Sequence, residues 1–388
     1  MNTLTPAPPG ATTTTPENVA PRQLHPLRRS RVSSFYDLTF DELRDMLAGR
    51  GQPGYRAQQL YEWAYKRLAG DYRDMTVLPA ALRASLANEL PLDVLTPVRE
   101  IETDDGDTVK VLYRTADGQT IETVLMYYAD RATVCVSCQV GCAVGCSFCA
   151  TGMGGLQRNL TTGEMVAQVI DMARRARRRG RPLTNIVMMG MGEPFHNYAA
   201  VMKMVAILHD ARGMQVGARR ITLSTSGVVP FIDRLASEPF QVNLAISIHA
   251  ADDALRSELV PLNRRWPLDE LLGAVRRYIR QTGRRVSFEY ALIADVNDRD
   301  DDAWNLARRL RGLLCHVNLI PLNPTPAAPY QRPSADRIAR FERILVEAGI
   351  PTTVRYSRGV EIAAACGQLR AQHAPVTAQP PLMGENHG

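Results

Sequence analysis

Residues 133–152 read Thr-Val-Cys-Val-Ser-Cys-Gln-Val-Gly-Cys-Ala-Val-Gly-Cys-Ser-Phe-Cys-Ala-Thr-Gly. The first four are β-branched or small apolar residues, the composition of a short strand. Thiols crowd in at once: Cys135, Cys138, Cys142, Cys146 and Cys149 are five of the chain's seven cysteines. An odd number bunched this tightly argues against a disulfide framework and for metal or redox chemistry. Thiolates are soft ligands for iron–sulfur clusters, zinc or copper(I). Cys142, Cys146 and Cys149 form C-x3-C-x2-C. Three thiolates can hold three irons of a [4Fe–4S] cluster and leave the fourth open for a small ligand, whereas an electron-transfer cluster normally takes a fourth cysteine. Zinc is the competing reading, on the pairs Cys135-x2-Cys138 and Cys146-x2-Cys149. Only seven residues separate the pairs, fewer than in zinc ribbons. Cys138 is close enough in sequence to close the open iron.

Downstream of this stretch the chain alternates strand and helix. Strands are predicted at Thr133–Val136, Asn185–Met189, Arg220–Thr225, Asn243–Ile248, Val286–Leu292 and His316–Leu322, with a last short one at Thr352–Tyr356. Helices are predicted from the Thr161/Glu164 capping box and over roughly 198–209, 268–281, 301–313 and 334–348. Successive βα units imply a parallel sheet, because parallel strands need crossover helices. The fold class is α/β, an open or partial (βα) barrel. A doubly wound flat sheet is the rival that periodicity alone leaves open.

Upstream, residues 108–128 read as a hairpin around Asp117-Gly118, with Val109, Val111 and Tyr113 alternating on one side and Ile121, Thr123 and Leu125 on the other. Residues from Phe35 to about Leu95 read as three helices: one from a Thr39/Glu42 capping box to Gly49, one over Arg56–Leu68, one over Pro79–Leu90. Residues before them are rich in Pro, Thr and Ala and then basic (Arg22, Arg28, Arg29, Arg31), the composition of a disordered tail. The organisation expected is a tail over 1–34, a helical RNA-binding module over 35–97, a hairpin linker over 98–130, the barrel over 131–370 and a second tail over 371–388.

The net charge is +6, which suits a nucleic-acid partner without requiring one. No run approaches the ~18 apolar residues of a membrane span, and the N-terminus lacks a signal-peptide pattern. No membrane association and cytoplasmic residence are expected. Arg174, Arg175, Arg177, Arg178, Arg179 and Arg181 crowd one helix end, with Arg219/Arg220 and Arg264/Arg265 elsewhere. Such runs read either as a solvated face or as phosphate contacts.

A C-x3-C-x2-C motif after the first strand of a βα series resembles the radical SAM superfamily. Further stretches are similar to the RlmN/Cfr family of RNA adenine methyltransferases over about 36–370: Cys135 to Gly152, Arg158-Asn-Leu-Thr161, Met189-Gly-Met-Gly-Glu-Pro194, Leu223-Ser-Thr-Ser-Gly-Val-Val-Pro230, Ser247-Ile-His-Ala250, Glu258-Leu-Val-Pro-Leu-Asn263, Asn318-Leu-Ile-Pro321 and Ala364-Ala-Cys-Gly-Gln-Leu369. The resemblance implies a partial barrel of radical SAM type with a small N-terminal helical domain. It implies a [4Fe–4S] cluster on Cys142, Cys146 and Cys149. S-adenosylmethionine (SAM) would meet Gly192, Glu193, Ser224, Ser247, Ile248, His249 and Asn323, at or just after strand ends where βα folds bind ligands.

In that family the cysteine matching Cys366 is methylated by one SAM. A radical from a second SAM takes hydrogen from the methyl group, and the resulting carbon radical adds to adenine. The physical logic is that carbon-2 of adenine is electron-poor and cannot attack SAM, whereas a thiolate can. The family pattern places the proton acceptor at Glu122 and the resolving thiol at Cys135, which forms a disulfide with Cys366 and releases the product. It implies 23S rRNA and tRNA as substrates, an extruded base, an electron donor such as a flavodoxin or ferredoxin, and a monomer. Carbon-8 methylation, the Cfr-like activity, uses the same cysteines. A zinc-stabilised RNA-binding protein without catalysis is the reading from a different class. The chain departs from the family at Cys138, where serine is usual, and at Leu322, where tryptophan is common.

Overall fold

The computed structural model describes residues 34–325 and 328–369. The two expected tails, with Arg22, Arg28, Arg29 and Arg31, lie outside the described residues apart from Ser34.

Strands β1 (Leu95–Glu102), β2 (Thr108–Thr115), β3 (Thr120–Tyr127) and β4 (Ala132–Cys135) form an antiparallel meander. A small pair, β5 (Gln139–Gly141) and β6 (Leu156–Asn159), flanks the cysteine loop and its single-turn helix α4 (Ala150–Met153) if the helices of the N-terminal region are numbered α1 (Phe40–Ala48), α2 (Tyr55–Tyr61) and α3 (Ala80–Glu89). The main sheet continues from β4 in parallel through β7 (Leu183–Met188), β8 (Ile221–Thr225), β9 (Asn243–Ser247), β10 (Val286–Leu292), β11 (Cys315–Pro321) and β12 (Thr352–Val354). The order is strictly sequential. A doubly wound sheet reverses its order at a switch point, so this sheet is singly wound. It stays open at β1 and β12 and forms the partial barrel.

All seven predicted parallel strands are present. Helices α5 (Thr162–Arg178), α6 (Tyr198–His209), α9 (Leu268–Thr282), α10 (Asp300–Leu310) and α11 (Ala335–Glu347) fall within a few residues of expectation. Two short helices, α7 (Val229–Leu235) and α8 (Asp253–Leu259), were not anticipated. Nor was β1, which together with the hairpin makes residues 95–127 part of the main sheet. Both capping boxes form: Thr39 and Glu42 at α1, Thr161 and Glu164 at α5. No helix among the described residues is long and apolar enough to cross a membrane.

The N-terminal helices pack on the barrel through an aromatic cluster. Phe35 meets Tyr36, Tyr61 and Tyr65, and Tyr65 meets Tyr36 and Tyr61, in edge-on or tilted contacts with ring centroids 4.7 to 6.1 Å apart. Asp37 anchors the joint: its carboxylate accepts from the Gly163 amide at 2.6 Å, in the first turn of α5, where a negative charge also opposes the helix dipole. Gly163 is what lets Asp37 and Ser34 approach. A Cβ there would lie 2.2 Å from Ser34 Oγ and 2.8 Å from Asp37 Oδ2. Gly163→Ala is therefore expected to destabilise the protein by about 1–3 kcal/mol through overpacking, measured as a lowered urea midpoint.

The arginine run at the end of α5 serves the same joint. Arg174 donates to the carbonyls of Leu68 and Ala69 at 2.8 and 2.5 Å, and Arg177 to those of Arg67 and Lys66 at 3.0 and 2.7 Å. Arg175 pairs with Asp171 and Glu100, and Arg179 with Glu102 and the Gly106 carbonyl. Four of the six arginines thus stitch α5 to the N-terminal helices and to β1.

Candidate cluster and cofactor site

The carboxyl ends of the parallel strands open into one cavity. Cys142, Cys146 and Cys149 line one side of it, and Gly192, Glu193, Ser224, Ser247, His249 and Asn323 line the rest. Of the residues expected to meet SAM, only Ile248 is not in the lining. It is fully buried, and its carbonyl accepts from Arg256.

Backbone hydrogen bonds hold the cysteine loop on two sides. The Cys142 amide donates to Gly155, Ser147 to Leu259 on α8, and Ala150 to Gly367, the residue after Cys366. Burial pushes the Cys142 thiol up to about 12, with Glu193 and Cys149 adding to the rise. Burial and the neighbouring thiols Cys149 and Cys142 raise Cys146 well above the ordinary value. Thiols held this way ionise when a cation compensates the charge, which is how cysteine ligands bind metal.

Gly192 has φ +107°, and a Cβ there would meet Gln139 at 2.6 Å. The tight turn it allows swings Glu193 inward. Glu193 is buried and accepts from the amides of Ser226 at 2.8 Å and Phe195 at 3.1 Å, which tie it to the end of β8. The Thr225 side chain is a third donor to it, and a carboxylate has about four acceptor sites, so capacity remains for a cationic donor in the cavity. His249 sits at φ +57°, uncommon for a non-glycine residue. Its Nδ1 accepts from the Ala291 amide at 2.9 Å, so Nε2 carries the proton. Burial lowers its pKa to about 3, with Arg256 contributing, and it is a neutral donor at physiological pH.

Among the described residues, two oxygens of cavity-lining side chains, Asn323 Oδ1 and Glu289 Oε2, are buried without a hydrogen-bond partner, the second with the Arg355 guanidinium 3.7 Å away. Orphaned acceptors of this kind call for donors, and SAM carries hydroxyls and an ammonium. Among the described residues, no three His, Cys, Asp or Glu side chains are grouped as ligands of a single metal ion. A cluster takes one thiolate per iron, and the three loop thiols suit that arrangement. The residues present fit both groups.

A second cavity lies across the Cys366 loop. Cys366 lines both, and Cys135 lines only the second, with Tyr128, Arg131, Arg355, Tyr356 and Arg358. Burial, with the charge of Cys366 adding to it, pushes the Cys135 thiol up. Cys366 is exposed as a residue, yet its thiol is enclosed, and burial raises it while Arg355 opposes the rise. Arg131 and Arg358 lie 4.3 and 4.8 Å from the Tyr128 ring, and Tyr356 is exposed. Aromatic faces with guanidinium groups beside them are what unstacked bases and their phosphates bind. Composition alone did not single out these arginines, which are scattered through the sequence and meet only in the fold.

Glu122 lies on β3, on the same face as Val124, which pairs with Cys135. It is buried and forms a 2.9 Å ion pair with Lys110. Cys138 is 2% exposed and lies outside the lining of either cavity. Leu322 is buried and packs near the cysteine loop with Phe148.

Known proteins resemble this chain along its length. Residues 136–307 match the model of the Radical SAM superfamily, and residues 34–91 that of the ribosomal RNA large subunit methyltransferase N-terminal domain. A probable dual-specificity RNA methyltransferase RlmN of Chloroflexus aurantiacus is 51% identical over 350 residues, spanning 87% of this chain and 93% of that protein. The one of Geobacillus kaustophilus is 47% identical, spanning 88% and 93%. The crystal structure of a radical SAM methyltransferase from Sphaerobacter thermophilus is 71% identical and superposes with a TM-score of 0.87, covering 87% of this chain and 99% of that one. With the three-cysteine loop, the open barrel and the N-terminal helices all accounted for, this chain belongs to the RlmN family of radical SAM RNA methyltransferases.

Proposed function

We propose that this chain methylates carbon-2 of an adenosine in 23S rRNA and in tRNAs, carrying the methyl group on Cys366. The observation that carries the reading is the position of Cys366. It stands between a cavity that fits SAM and a cavity that fits a nucleotide, with Cys135 beside it.

Cys142, Cys146 and Cys149 would hold a [4Fe–4S] cluster, and Gly192, Glu193, Ser224, Ser247, Ile248, His249 and Asn323 would position SAM. When bound, these groups supply the methyl group and a carbon-centred radical, two SAM being used per turnover. Cys366 takes the methyl group as a thioether, because a thiolate is nucleophilic where carbon-2 is not. Once that carbon is joined to the base, the adduct must lose one electron, for which the cluster would be the acceptor, and Glu122 accepts the ring proton, so that the ring is aromatic again. The Cys135 thiolate then attacks Cys366 sulfur: an S–S bond forms, the S–C bond breaks, and its electron pair stays on the departing carbon, which takes a proton to become the methyl group. Partners are 23S rRNA, tRNA and an electron donor such as a flavodoxin or ferredoxin. The chain acts as a cytoplasmic monomer.

Mass spectrometry of nucleosides from rRNA and tRNA, with and without the gene, tests the reading. Loss of 2-methyladenosine on deletion is the expected result. Loss of 8-methyladenosine instead moves the assignment to carbon-8, and no change in either overturns the methylase reading.

A further inference from the structure

The face of the β2–β3 hairpin that carries Glu122 is covered by the loop that carries Cys366. Lys110, Glu122 and Val124 share this face: Lys110 stands opposite Val124, and Glu122 is its diagonal neighbour. The loop presses down on β2, where a Cβ on Gly359 would meet Thr108 at 2.8 Å. Between hairpin and loop sits one ammonium group. Lys110 Nζ is 2.9 Å from Glu122 Oε1 and donates to the Ala363 carbonyl at 3.0 Å. Both side chains are nearly closed to solvent, at 10% and 7% exposure. Ala363 is three residues before Cys366 and has φ +51°, a left-handed conformation that alanine adopts only when its surroundings impose it.

We propose that Lys110 is a positioning residue that couples proton removal by Glu122 to release of the Cys366 loop. The inference rests on the roles given to Glu122 and Cys366 above. While Glu122 is a carboxylate, Lys110 bridges it to Ala363 and holds the loop against the hairpin. A buried charge-assisted bond of this kind is strong because both partners are charged. When the ring C–H bond of the base breaks, its electron pair stays in the ring and the proton goes to Glu122. The carboxyl group is then neutral and its bond to Lys110 weakens. The bridge from the hairpin to Ala363 loosens, the Arg358 bonds to Asp107 and the Tyr127 carbonyl remain, and Cys366 becomes free to meet Cys135. Proton transfer and disulfide closure follow in that order because one ammonium group serves both.

The test uses the full-length protein and the variants Lys110→Met, Lys110→Arg, Glu122→Gln and Cys135→Ala, each checked for folding by circular dichroism. In the metal-free protein, closure of the Cys135–Cys366 disulfide under diamide is followed by peptide mapping. Lys110→Met is expected to close faster than the parent, and Lys110→Arg to restore the parental rate. In the cluster-loaded protein, covalent protein–RNA adduct is measured on denaturing gels, with Cys135→Ala setting the ceiling. Because Lys110 also holds Glu122 in place, Lys110→Met is expected to remove the ring proton slowly, so that adduct accumulates ahead of that step despite the freer loop and kcat falls about 10²-fold, with KM for RNA unchanged. Parental disulfide closure in Lys110→Met overturns the coupling whatever the other variants do. A Glu122→Gln protein that accumulates no adduct overturns the role of Glu122 instead. Should Lys110→Met not fold, Lys110→Arg still decides, since an unrestored closure rate in a folded arginine variant rejects the bridge.

Discussion

Cys366→Ala is expected to abolish methyl transfer, by at least about 10⁴-fold, the scale seen when a nucleophile is removed. The residue as a whole is exposed and its enclosed thiol borders two cavities, so removing one sulfur atom disturbs little packing. Stability is expected to stay within about 0.5 kcal/mol of the parent. Iron content is expected to match the parent as well, because Cys142, Cys146 and Cys149 are untouched. Cys135→Ala gives the informative contrast. On the proposed mechanism it is also expected to stop turnover, but after the base has become attached to Cys366, so that RNA is carried on the protein. Mass spectrometry of the peptide spanning Cys366 checks both: a methyl group or a nucleotide on the cysteine in Cys135→Ala, and neither at residue 366 in Cys366→Ala. A Cys366→Ala protein that still methylates RNA would reject the carrier role and leave the cavity between the thiols without a chemical purpose.

Much of this architecture could be read before any coordinates. The parallel strands are short, nearly continuous apolar runs, as strands covered on both faces must be, and the intervening helices carry caps and long amphipathic faces. What escaped notice was short or indirect. Helices α7 and α8 have seven residues each, too few for a period of 3.6 to repeat convincingly. The strand β1 has a mostly exposed burial pattern and so gives no apolar alternation. The arginine run of α5 looked like a solvated face or a phosphate site, and four of its six arginines meet carbonyls or carboxylates at a joint, because which groups a guanidinium meets is decided by tertiary packing. Glu289 did leave a signal: a carboxylate in the middle of Val286–Leu292, a strand buried along its length, must have a partner or a ligand. One of its oxygens accepts from Asn318 at 2.8 Å, and the other lies 3.7 Å from the Arg355 guanidinium. Lys110 and Arg256 left none, since a cation in a strand or helix looks the same in sequence whether it is exposed or enclosed.

Arg256 should give the largest effect on stability. Its side chain is fully buried on α8, and its guanidinium donates to the carbonyls of Ile248 at 2.9 Å, Ser226 at 2.7 Å and Ser247 at 3.1 Å and to Asn263 Oδ1 at 2.8 Å. It therefore joins the ends of β8 and β9, the floor of the cavity in which SAM is expected to bind. Burial pushes its pKa down to about 10, with Cys146 and Asp253 opposing, so it stays charged at neutral pH. Arg256→Met removes the four donated bonds, leaving the half-buried Ser226 and Ser247 carbonyls without the guanidinium while the Ile248 carbonyl keeps the Ala250 amide. The relief of burying a charge offsets part of this loss, and a net destabilisation of about 3 kcal/mol is expected from a urea titration. Arg256→Lys keeps the charge but not the planar fork, so it should recover only part of the stability. The same substitutions separate structure from electrostatics at the cluster. Thiolate ligands beside a buried cation are easier to ionise, so Arg256→Met should retain less iron per chain than Arg256→Lys when both are reconstituted below their unfolding midpoints. Equal iron in the two variants would mean that Arg256 supports the cavity floor through its hydrogen bonds alone and that its charge has no bearing on the cysteine loop.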